Sequence, residues 1–302
     1  MPIAHTLQYC ALICIAQIMQ VLPRRTALFL GACIGQFGWY TGARRSLVLS
    51  NLKQAIPDAS DDMRLKIGAR SARNFVRTVT EFVRFDGRDR ENLDQIVSVD
   101  GIETLQDSMQ AGKGCLMITG HLGAWALYFS AISSKGIPIS LLVGKQHNKR
   151  VDKFIHALSG SEVTLIPKGR AAIKQILQSL EQGRCIVIVA DQHAGANGIL
   201  SEFIGRAAST LSLPGAFVAR NGIPIFTMAG HRVENGCHQV KITPLEVEPS
   251  SDKETLKQNV TDAFNQAIGN AILEHPEQYL WYHRRWRDSD AAIGQAPQPK
   301  AS

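Results

Sequence analysis

The sequence GCLMITGHLGAWAL, residues Gly114–Leu127, sets the fold class of the chain. It opens with the apolar run Cys115–Ile118, which has the length and composition of a buried strand. His121 follows this run, with Gly120 before it and Gly123 two residues after it. Glycines permit a tight turn, and the carboxyl ends of strands form the ligand crevice in open α/β sheets. His121 is therefore a candidate catalytic residue, and a hydrogen-bonded loop histidine is the alternative.

Short apolar segments alternate with helical segments throughout the chain after residue 84. The expected strands are Ile96–Val99, Cys115–Ile118, Ile137–Val143, Val163–Ile166, Cys185–Ala190, Ile223–Met228 and Gln239–Ile242. The expected helices between them are Ile102–Gln110, Ala124–Ser133, Val151–Ser159, Ala171–Glu181, Ser212–Asn221 and Lys253–Leu273. Such alternation, with nearly continuous apolar strands, predicts an α/β fold with a mostly parallel central sheet flanked by helices.

Length and composition allow a full core and indicate anionic partners. The chain has 302 residues, of which 45% are hydrophobic, enough for one large α/β domain or two small ones. Its net charge of +7 favours a membrane surface, a phosphorylated lipid, a nucleic acid or an acidic protein as partner. The six cysteines form no CxxC pair, which is typical of free thiols in a reducing compartment.

The amino-terminal segment Thr6–Leu22 is apolar and carries no charged residue. Its length is at the lower limit for a membrane-spanning helix, about 17–25 residues. Arg24 and Arg25 follow it, so the positive-inside rule places the rest of the chain on the cytoplasmic side. We therefore expect an N-terminal membrane-anchoring helix, either spanning or lying in the interface. An amphipathic or core helix is the alternative, because glutamines interrupt the segment.

A long amphipathic helix is expected over Met63–Phe85. Its basic residues fall at helical spacing on one face: Lys66, Arg70, Arg73, Arg77 and Arg84. A second face is apolar and is expected to pack inward: Phe75, Val79 and Phe82. The basic face lacks acidic partners at i,i+4 spacing, which favours a docking face for phosphates over an ordinary solvated surface.

Two further polar clusters are candidates for function. Asp191 and Gln192 follow the expected strand Cys185–Ala190, where they are placed to bind a substrate hydroxyl or fix an arginine, or to act only as turn residues. The segment His275–Arg287, HPEQYLWYHRRWR, interleaves aromatic and basic residues. That composition suits nucleic-acid stacking or a membrane interface, and the apolar amino terminus favours the membrane.

Several catalytic motifs are absent from the sequence. It contains no GxSxG nucleophile elbow, no P-loop and no GxGxxG fingerprint. The nine histidines show neither HExxH nor a Cys/His metal-ligand spacing. Catalysis by a covalent nucleophile, nucleoside triphosphate chemistry and zinc-dependent hydrolysis are therefore disfavoured. We expect no metal and no cofactor.

Ordered sequence blocks resemble those of the late (secondary) acyltransferases of lipid A biosynthesis, of the lauroyl/myristoyl transferase type, within the lysophospholipid acyltransferase superfamily. GHLGAWA from Gly120 is similar to their GHxGxWE block, and HPEQYLWYHRR from His275 to their HPEQYLWxHRR block. Further matches, in the family's order, are Asn51-Leu52 with Pro57, Arg170 and the helix after it, DQHAGANG from Asp191, and Phe203–Thr210.

The resemblance implies a membrane-associated O-acyltransferase that uses acyl carrier protein as donor. The acceptor would be the hydroxyl of a 3-hydroxyacyl chain on a lipid A precursor, with His121 as general base. The oxyanion would be bound by backbone N–H groups near Gly123 or by Arg170. We expect these residues to bind substrate: Arg73, Arg77, Arg170, Asp191, Gln192 and Arg284. The inner membrane is the expected partner and nucleic acid is not.

Composition and the resemblance together divide the chain into three parts. Residues 1–25 would be the membrane anchor, 26–287 the acyltransferase domain on the cytoplasmic side of the inner membrane, and 288–302 a disordered tail.

One position departs from the family pattern. The H-x4-D/E signature places a carboxylate at position 126 to orient the imidazole, and this chain has Ala126. We therefore expect impaired catalysis, and the Ala126→Glu variant to gain about 10²–10⁴-fold in acyl transfer. The alternatives are O-acyl transfer to another glycolipid or phospholipid, and an inactive lipid-binding homologue.

Overall fold

A computed structural model describes residues 13–85, 88–110, 112, 114–144 and 163–287. Its strands are β1 (Val97–Asp100), β2 (Cys115–Thr119), β3 (Ile139–Val143), β4 (Val163–Pro167), β5 (Cys185–Val189), β6 (Ile199–Phe203), β7 (Arg206–Thr210), β8 (Ile225–Arg232) and β9 (His238–Pro244). Residues 13–21 are helical and are called α1. The other helices are α2 (Arg24–Tyr40), α3 (Arg45–Ala55), α4 (Asp61–Arg84), α5 (Arg88–Glu91), α6 (Leu93–Ile96), α7 (Ile102–Gln110), α8 (Trp125–Ser133), α9 (Ala172–Glu181), α10 (Leu213–Asn221) and α11 (Lys253–Glu274).

The central sheet has seven strands in the order β1-β9-β8-β2-β5-β3-β4. β8, β2, β5, β3 and β4 run parallel to one another, whereas β9 is antiparallel to β8 and β1 is parallel to β9. The predicted mostly parallel α/β sheet is therefore confirmed. β2 and β5 are neighbours, so the residues that follow them lie side by side at one edge of the sheet.

Helices cover both faces of the sheet. Every residue of β2 is buried, and successive side chains enter opposite cores because strand side chains alternate between faces. Leu116 and Ile118 pack in the core that includes α3, α9 and α11. Cys115 and Met117 pack in the other core, beneath α7 and α8. Burial on both faces explains why these strands are apolar without interruption.

Parts of three sequence predictions lie outside the described residues. They are the expected helix 151–159, the tail 288–302 and the first half of the expected anchor, residues 1–12. Among the helices that the structure describes, none has both the length and the apolar composition needed to cross a bilayer.

The predicted basic face of α4 is smaller than the sequence indicated. Lys66 pairs with Asp62 at 2.6 Å, an acidic partner one turn earlier. Arg84 is buried and pairs with Asp89 of α5 at 3.0 Å, so it fixes a helix junction instead of facing solvent. A buried guanidinium needs such partners because desolvation of an unpaired charge is costly.

The apolar face of α4 was also placed wrongly. Phe75 and Val79 are 36% and 39% exposed, so this face does not pack inward as a whole. Val79 instead lines a cavity beside His121. The helical spacing identified the face correctly but did not show what it would contact.

Close packing of α2 against α4 depends on small residues. A Cβ at Gly35 of α2 would lie 2.8 Å from the Cα of Arg73 and would overlap the Ala72 carbonyl. The opposite face of α2 leaves large apolar side chains exposed, among them Phe29 and Phe37 at 64% and 68%. The glycines thus hold α2 on α4 while its other face stays apolar and uncovered.

We expect the Gly35→Ala variant to lose about 1–3 kcal/mol of unfolding free energy, because the added methyl group meets backbone that cannot move aside. Gly38→Ala, in the same helix, is the matched control, since nothing lies within 4 Å of its added Cβ. That variant should be neutral or gain up to about 1 kcal/mol from helix propensity. Denaturant unfolding measures both, and equal behaviour of the two variants would contradict the packing described.

Candidate active site

His121 lies in the turn directly after β2, and neighbouring elements hold this turn in place. The His121 carbonyl accepts a hydrogen bond from the Leu280 N–H at 3.1 Å. Two residues further, the Gly123 N–H donates to the Gln278 carbonyl at 3.1 Å, and its own carbonyl accepts from the Thr78 hydroxyl at 2.9 Å. Gly123 adopts φ +59°, a left-handed conformation that favours glycine. The backbone around the imidazole is therefore fixed on both sides.

Asp191 holds the imidazole of His121. Because Thr119 of β2 pairs with Val189 of β5, the residues that follow the two strands come together. The Asp191 Oδ1 lies 2.8 Å from the His121 Nδ1, and its Oδ2 accepts the His121 backbone N–H at 2.9 Å. The Tyr279 hydroxyl also bonds to this carboxylate. Asp191 is 1% exposed, so this is a buried carboxylate with three donors.

The electrostatics of this pair favour an ionised carboxylate. Burial alone would raise the pKa of Asp191, but the charge of His121 and its two hydrogen bonds lower it to about 2. Burial and the adjacent Asp191 charge raise the pKa of the Tyr279 phenol well above its usual value, so Tyr279 remains a donor. An ionised carboxylate only accepts, so an uncharged His121 carries its proton on Nδ1 and keeps the lone pair of Nε2 free.

Position 126 does not supply the orienting carboxylate. Ala126 is the second residue of α8 and lines a cavity, and the His121 Nδ1 is bonded to Asp191. In this structure the carboxylate that contacts the imidazole is therefore that of Asp191, and the effect of Ala126 on catalysis stays a prediction. Trp125 packs edge-on against the imidazole, with ring centroids 4.9 Å apart.

An apolar cavity of about 440 Å³ lies beside His121. Its apolar lining comes mainly from α4, α8, β3 and β4: Val79, Phe82, Trp125, Phe129, Leu141 and Leu165. His121, Gln192 and Lys168 are among its few polar residues. An apolar pocket with a small number of polar groups at one point is the usual form of a ligand site. This cavity can hold a hydrocarbon chain with its reacting end beside the imidazole.

The structure brings some of the predicted substrate-binding residues to this cavity and leaves others elsewhere. The Gln192 Nε2 lies 3.5 Å from the His121 Nε2, too far for a good hydrogen bond but within reach of a shared substrate atom. Arg170 is exposed after β4, and Lys168 lines the cavity instead. The remaining predicted arginines do not line the cavity: Arg73, Arg77 and Arg284.

Most aromatic residues of the segment 275–287 are buried and hold neighbouring elements together. This corrects the prediction that the segment lies at a membrane interface. Tyr279, Trp281 and Trp286 are only 4%, 1% and 4% exposed. Asn51 of α3 donates to the Trp281 carbonyl at 2.7 Å, tying the segment to the amino-terminal helices. Composition alone does not distinguish buried aromatic residues from interfacial ones, because both environments take the same residue types.

Arg285, also in this segment, is a positioning residue that sequence reasoning did not single out. It is buried, donates to the Gln192 carbonyl at 3.1 Å and to the Thr210 hydroxyl at 2.7 Å, and lies 4.6 Å from the centre of the Phe203 ring. It therefore fixes the loop that carries Asp191 and Gln192. Tyr279 was missed likewise, and only its place in the resembling block marked either residue.

Comparison with known proteins gives the family. The profile of the bacterial lipid A biosynthesis acyltransferases matches residues 3–288. The chain belongs to this family. The lipid A biosynthesis palmitoleoyltransferase of Escherichia coli (strain K12) is 23% identical over 280 residues, which are 88% of this chain and 86% of that protein. The lipid A biosynthesis acyltransferase of Shigella flexneri matches with the same identity and coverage.

A solved structure is also similar, that of the 1-acyl-sn-glycerophosphate acyltransferase from Thermotoga maritima. The similarity covers 84% of this chain and 98% of that one, with 12% identity and a TM-score of 0.39. Within the part of this lipid A acyltransferase that the structure describes, no group of three or more His, Cys, Asp or Glu side chains could hold a metal ion.

The depressed pKa of Asp191 predicts a pH-dependent contribution to the stability of this acyltransferase. Its ordinary value is 3.8 and its folded value about 2, so it stabilises the fold by about 2 kcal/mol above pH ~4, and this is lost as the pH falls to about 2. We expect Asp191→Asn to be less stable than the parent by about that amount at pH ~6 and equal to it near pH ~2. Denaturant unfolding across this pH range measures the difference in unfolding free energy between the two proteins. A difference that does not change with pH would contradict an ionised Asp191 in the folded state.

Proposed function

We propose that this acyltransferase moves a fatty acyl chain from acyl carrier protein to the hydroxyl of a 3-hydroxyacyl chain on a lipid A precursor. One observation carries the proposal: a buried Asp191 holds the Nδ1 of His121 beside an apolar cavity. Family membership supplies the reaction class. The net charge of +7 is compatible with both an acidic carrier protein and a phosphorylated lipid.

The reaction uses His121 as general base. Its Nε2 removes the proton from the acceptor hydroxyl as the oxygen attacks the thioester carbonyl. The resulting imidazolium is stabilised by the Asp191 carboxylate, as an aspartate does in serine hydrolases. When the tetrahedral intermediate collapses, the C–S bond breaks and the thiol leaves, taking up the proton from the imidazolium. Thiols ionise at a pKa of about 8.5, so this departure needs little assistance.

The oxyanion requires a hydrogen-bond donor near the reacting carbonyl. Neither expected donor suits, because the Gly123 N–H already donates to Gln278 and Arg170 does not line the cavity. The Gln192 side-chain amide lines the cavity next to the His121 Nε2. We assign Gln192 this role, which is typically worth about 10²–10³-fold in rate.

We also propose membrane association, and an exposed apolar surface on the amino-terminal helices supports it. Ile18 of α1 is 57% exposed, and Phe29 and Phe37 of α2 are 64% and 68% exposed. Large exposed apolar patches on the surface of a protein mark sites that bind other proteins or a membrane. α4 packs on α2 and contributes Val79 and Phe82 to the cavity. We propose that this surface contacts the inner membrane from its cytoplasmic side, so that lipid chains enter the cavity from the bilayer.

A dyad of His121 and Asp191 predicts a specific order of activities. His121→Ala should abolish acyl transfer. Asp191→Asn should lower kcat by about 10²–10⁴-fold, because no carboxylate then fixes the Nδ1–H tautomer of the imidazole or stabilises the imidazolium. Asp107→Asn, which changes an exposed aspartate of α7, is the matched control and should retain activity. The assay measures product from acyl carrier protein thioester and purified acceptor lipid. Full activity of Asp191→Asn would remove Asp191 from the mechanism.

Ala126→Glu separates this dyad from the pair implied by the family signature. If Asp191 orients His121, a carboxylate at position 126 gains nothing at Nδ1 and places a charge in an apolar cavity, so activity should stay level or fall. A gain of about 10²–10⁴-fold would mean that Ala126 impairs the chain, as the signature suggests. The absence of turnover in both the parent and this variant, with lipid binding retained, would favour an inactive lipid-binding homologue.

A further inference from the structure

A second concave surface lies outside the cavity and is strongly basic. One part of it, about 770 Å³, is lined by Arg44, His193, Arg284 and Arg287 among others. An adjoining part of about 620 Å³ shares Arg284 and Arg287 and adds Lys53 and Arg206. No Asp or Glu lines either part in the described residues. We call this surface, defined by Arg44, Lys53, His193, Arg206, Arg284 and Arg287, the basic groove.

The basic groove adjoins the reaction centre. Gln192 lines the cavity, and the next residue, His193, lines the groove. His283 also lines the groove, and its Nδ1 is buried without a hydrogen-bond partner in the described chain. Burial lowers the pKa of His283, and the neighbouring charges act in opposite senses, because Asp191 raises it whereas His121, Arg285 and His193 lower it. A buried polar atom without a partner is a feature that a bound ligand would explain.

Arg44 adopts a backbone conformation that disfavours its own side chain. Its φ of +53° and ψ of 19° are left-handed, at the residue before α3. Glycine takes this conformation freely, whereas the Cβ of other L residues disfavours it. Backbone strain of this kind concentrates at functional sites. The guanidinium donates to the Tyr282 carbonyl at 3.1 Å and lines the groove.

Exposed aromatic side chains of the amino-terminal helices lie at the border of the groove. Tyr282, in its wall, contacts Phe75 of α4 with ring centroids 5.8 Å apart. Tyr40, at the end of α2 and four residues before Arg44, is 73% exposed. An amphiphile at this border can keep its chains on the apolar side while its anionic group enters the groove.

We propose that the basic groove binds the phosphate-bearing sugar headgroup of the acceptor lipid. The inference rests on the proposed function and deepens it, because it gives the acceptor a site distinct from the apolar cavity. Arginine guanidinium groups bind phosphate oxygens in a bidentate manner, and the described lining of the groove is rich in such groups. The exposed aromatic residues at the border of the groove favour a lipid phosphate as the ligand over an acidic protein, because a protein could dock on the basic residues alone.

The test is equilibrium binding, which needs no turnover. Its probes are a bis-phosphorylated disaccharide lipid in mixed detergent micelles and the same lipid after phosphatase treatment. Arg44→Gly and Arg284→Gln should each weaken binding of the phosphorylated lipid about tenfold and leave the dephosphorylated lipid unchanged. Arg44→Gly should also keep or raise the Tm, because glycine relieves the strained backbone. Arg220→Gln, an exposed arginine at the end of α10, is the control and should bind like the parent.

Other outcomes overturn the proposal. Equal weakening for both lipids would show that the groove does not bind phosphate. Unchanged lipid binding, with weakened binding of acyl carrier protein, would assign the groove to the donor. Because binding is measured without catalysis, tight and phosphate-dependent binding by an inactive chain would support the groove while contradicting the proposed transfer reaction.

Discussion

The structure of the site depends on one interaction, the buried contact of the Asp191 carboxylate with His121. A carboxylate that is 1% exposed would be costly without partners, and here it accepts from the imidazole Nδ1, from the His121 backbone N–H and from the Tyr279 hydroxyl. These bonds join β2, β5 and the carboxyl-terminal segment 275–287 at one point. The contact therefore sets the tautomer of the imidazole and also joins the elements that surround it.

A second buried carboxylate stabilises the chain between His121 and α8. Glu81 of α4 is completely buried and pairs with Arg24 at 2.7 Å, with His238 at 2.8 Å and with Arg232. Burial would raise the pKa of Glu81, but the charges and hydrogen bonds of Arg232 and His238 lower it well below its usual value. His238 in turn bonds to the Tyr128 hydroxyl, which accepts the backbone N–H of the residue before α8. This network connects the amino-terminal helices to the start of α8, beside the cavity.

Most of the sheet could be predicted from the sequence, because its buried parallel strands are continuous apolar runs. The hairpin of β6 and β7 could not. Its two-residue turn is Ile204-Gly205, with φ values of 50° and 72°. This is the geometry of a hairpin turn that normally carries Asn-Gly or Gly-Gly. An isoleucine in a left-handed conformation gives no local sign of the turn.

The site was predictable residue by residue but not as an arrangement. His121 and Asp191 were each expected at a strand end, but the order of strands determines which strand ends are neighbours. The sequence therefore pointed to position 126, which is local, instead of residue 191, which is 70 positions away. The basic groove was missed for the same reason, since its arginines come from the residue before α3, from β7 and from the carboxyl-terminal segment.

The tautomer of His121 tests the account most directly. ¹⁵N NMR of the parent chain, with His121 assigned by its loss in His121→Gln, reports which ring nitrogen carries the proton at a pH where the imidazole is uncharged. We predict a proton on Nδ1 and a free lone pair on Nε2, with this preference lost in Asp191→Asn. A proton on Nε2 in the parent chain, or a tautomer that does not change in Asp191→Asn, would contradict it.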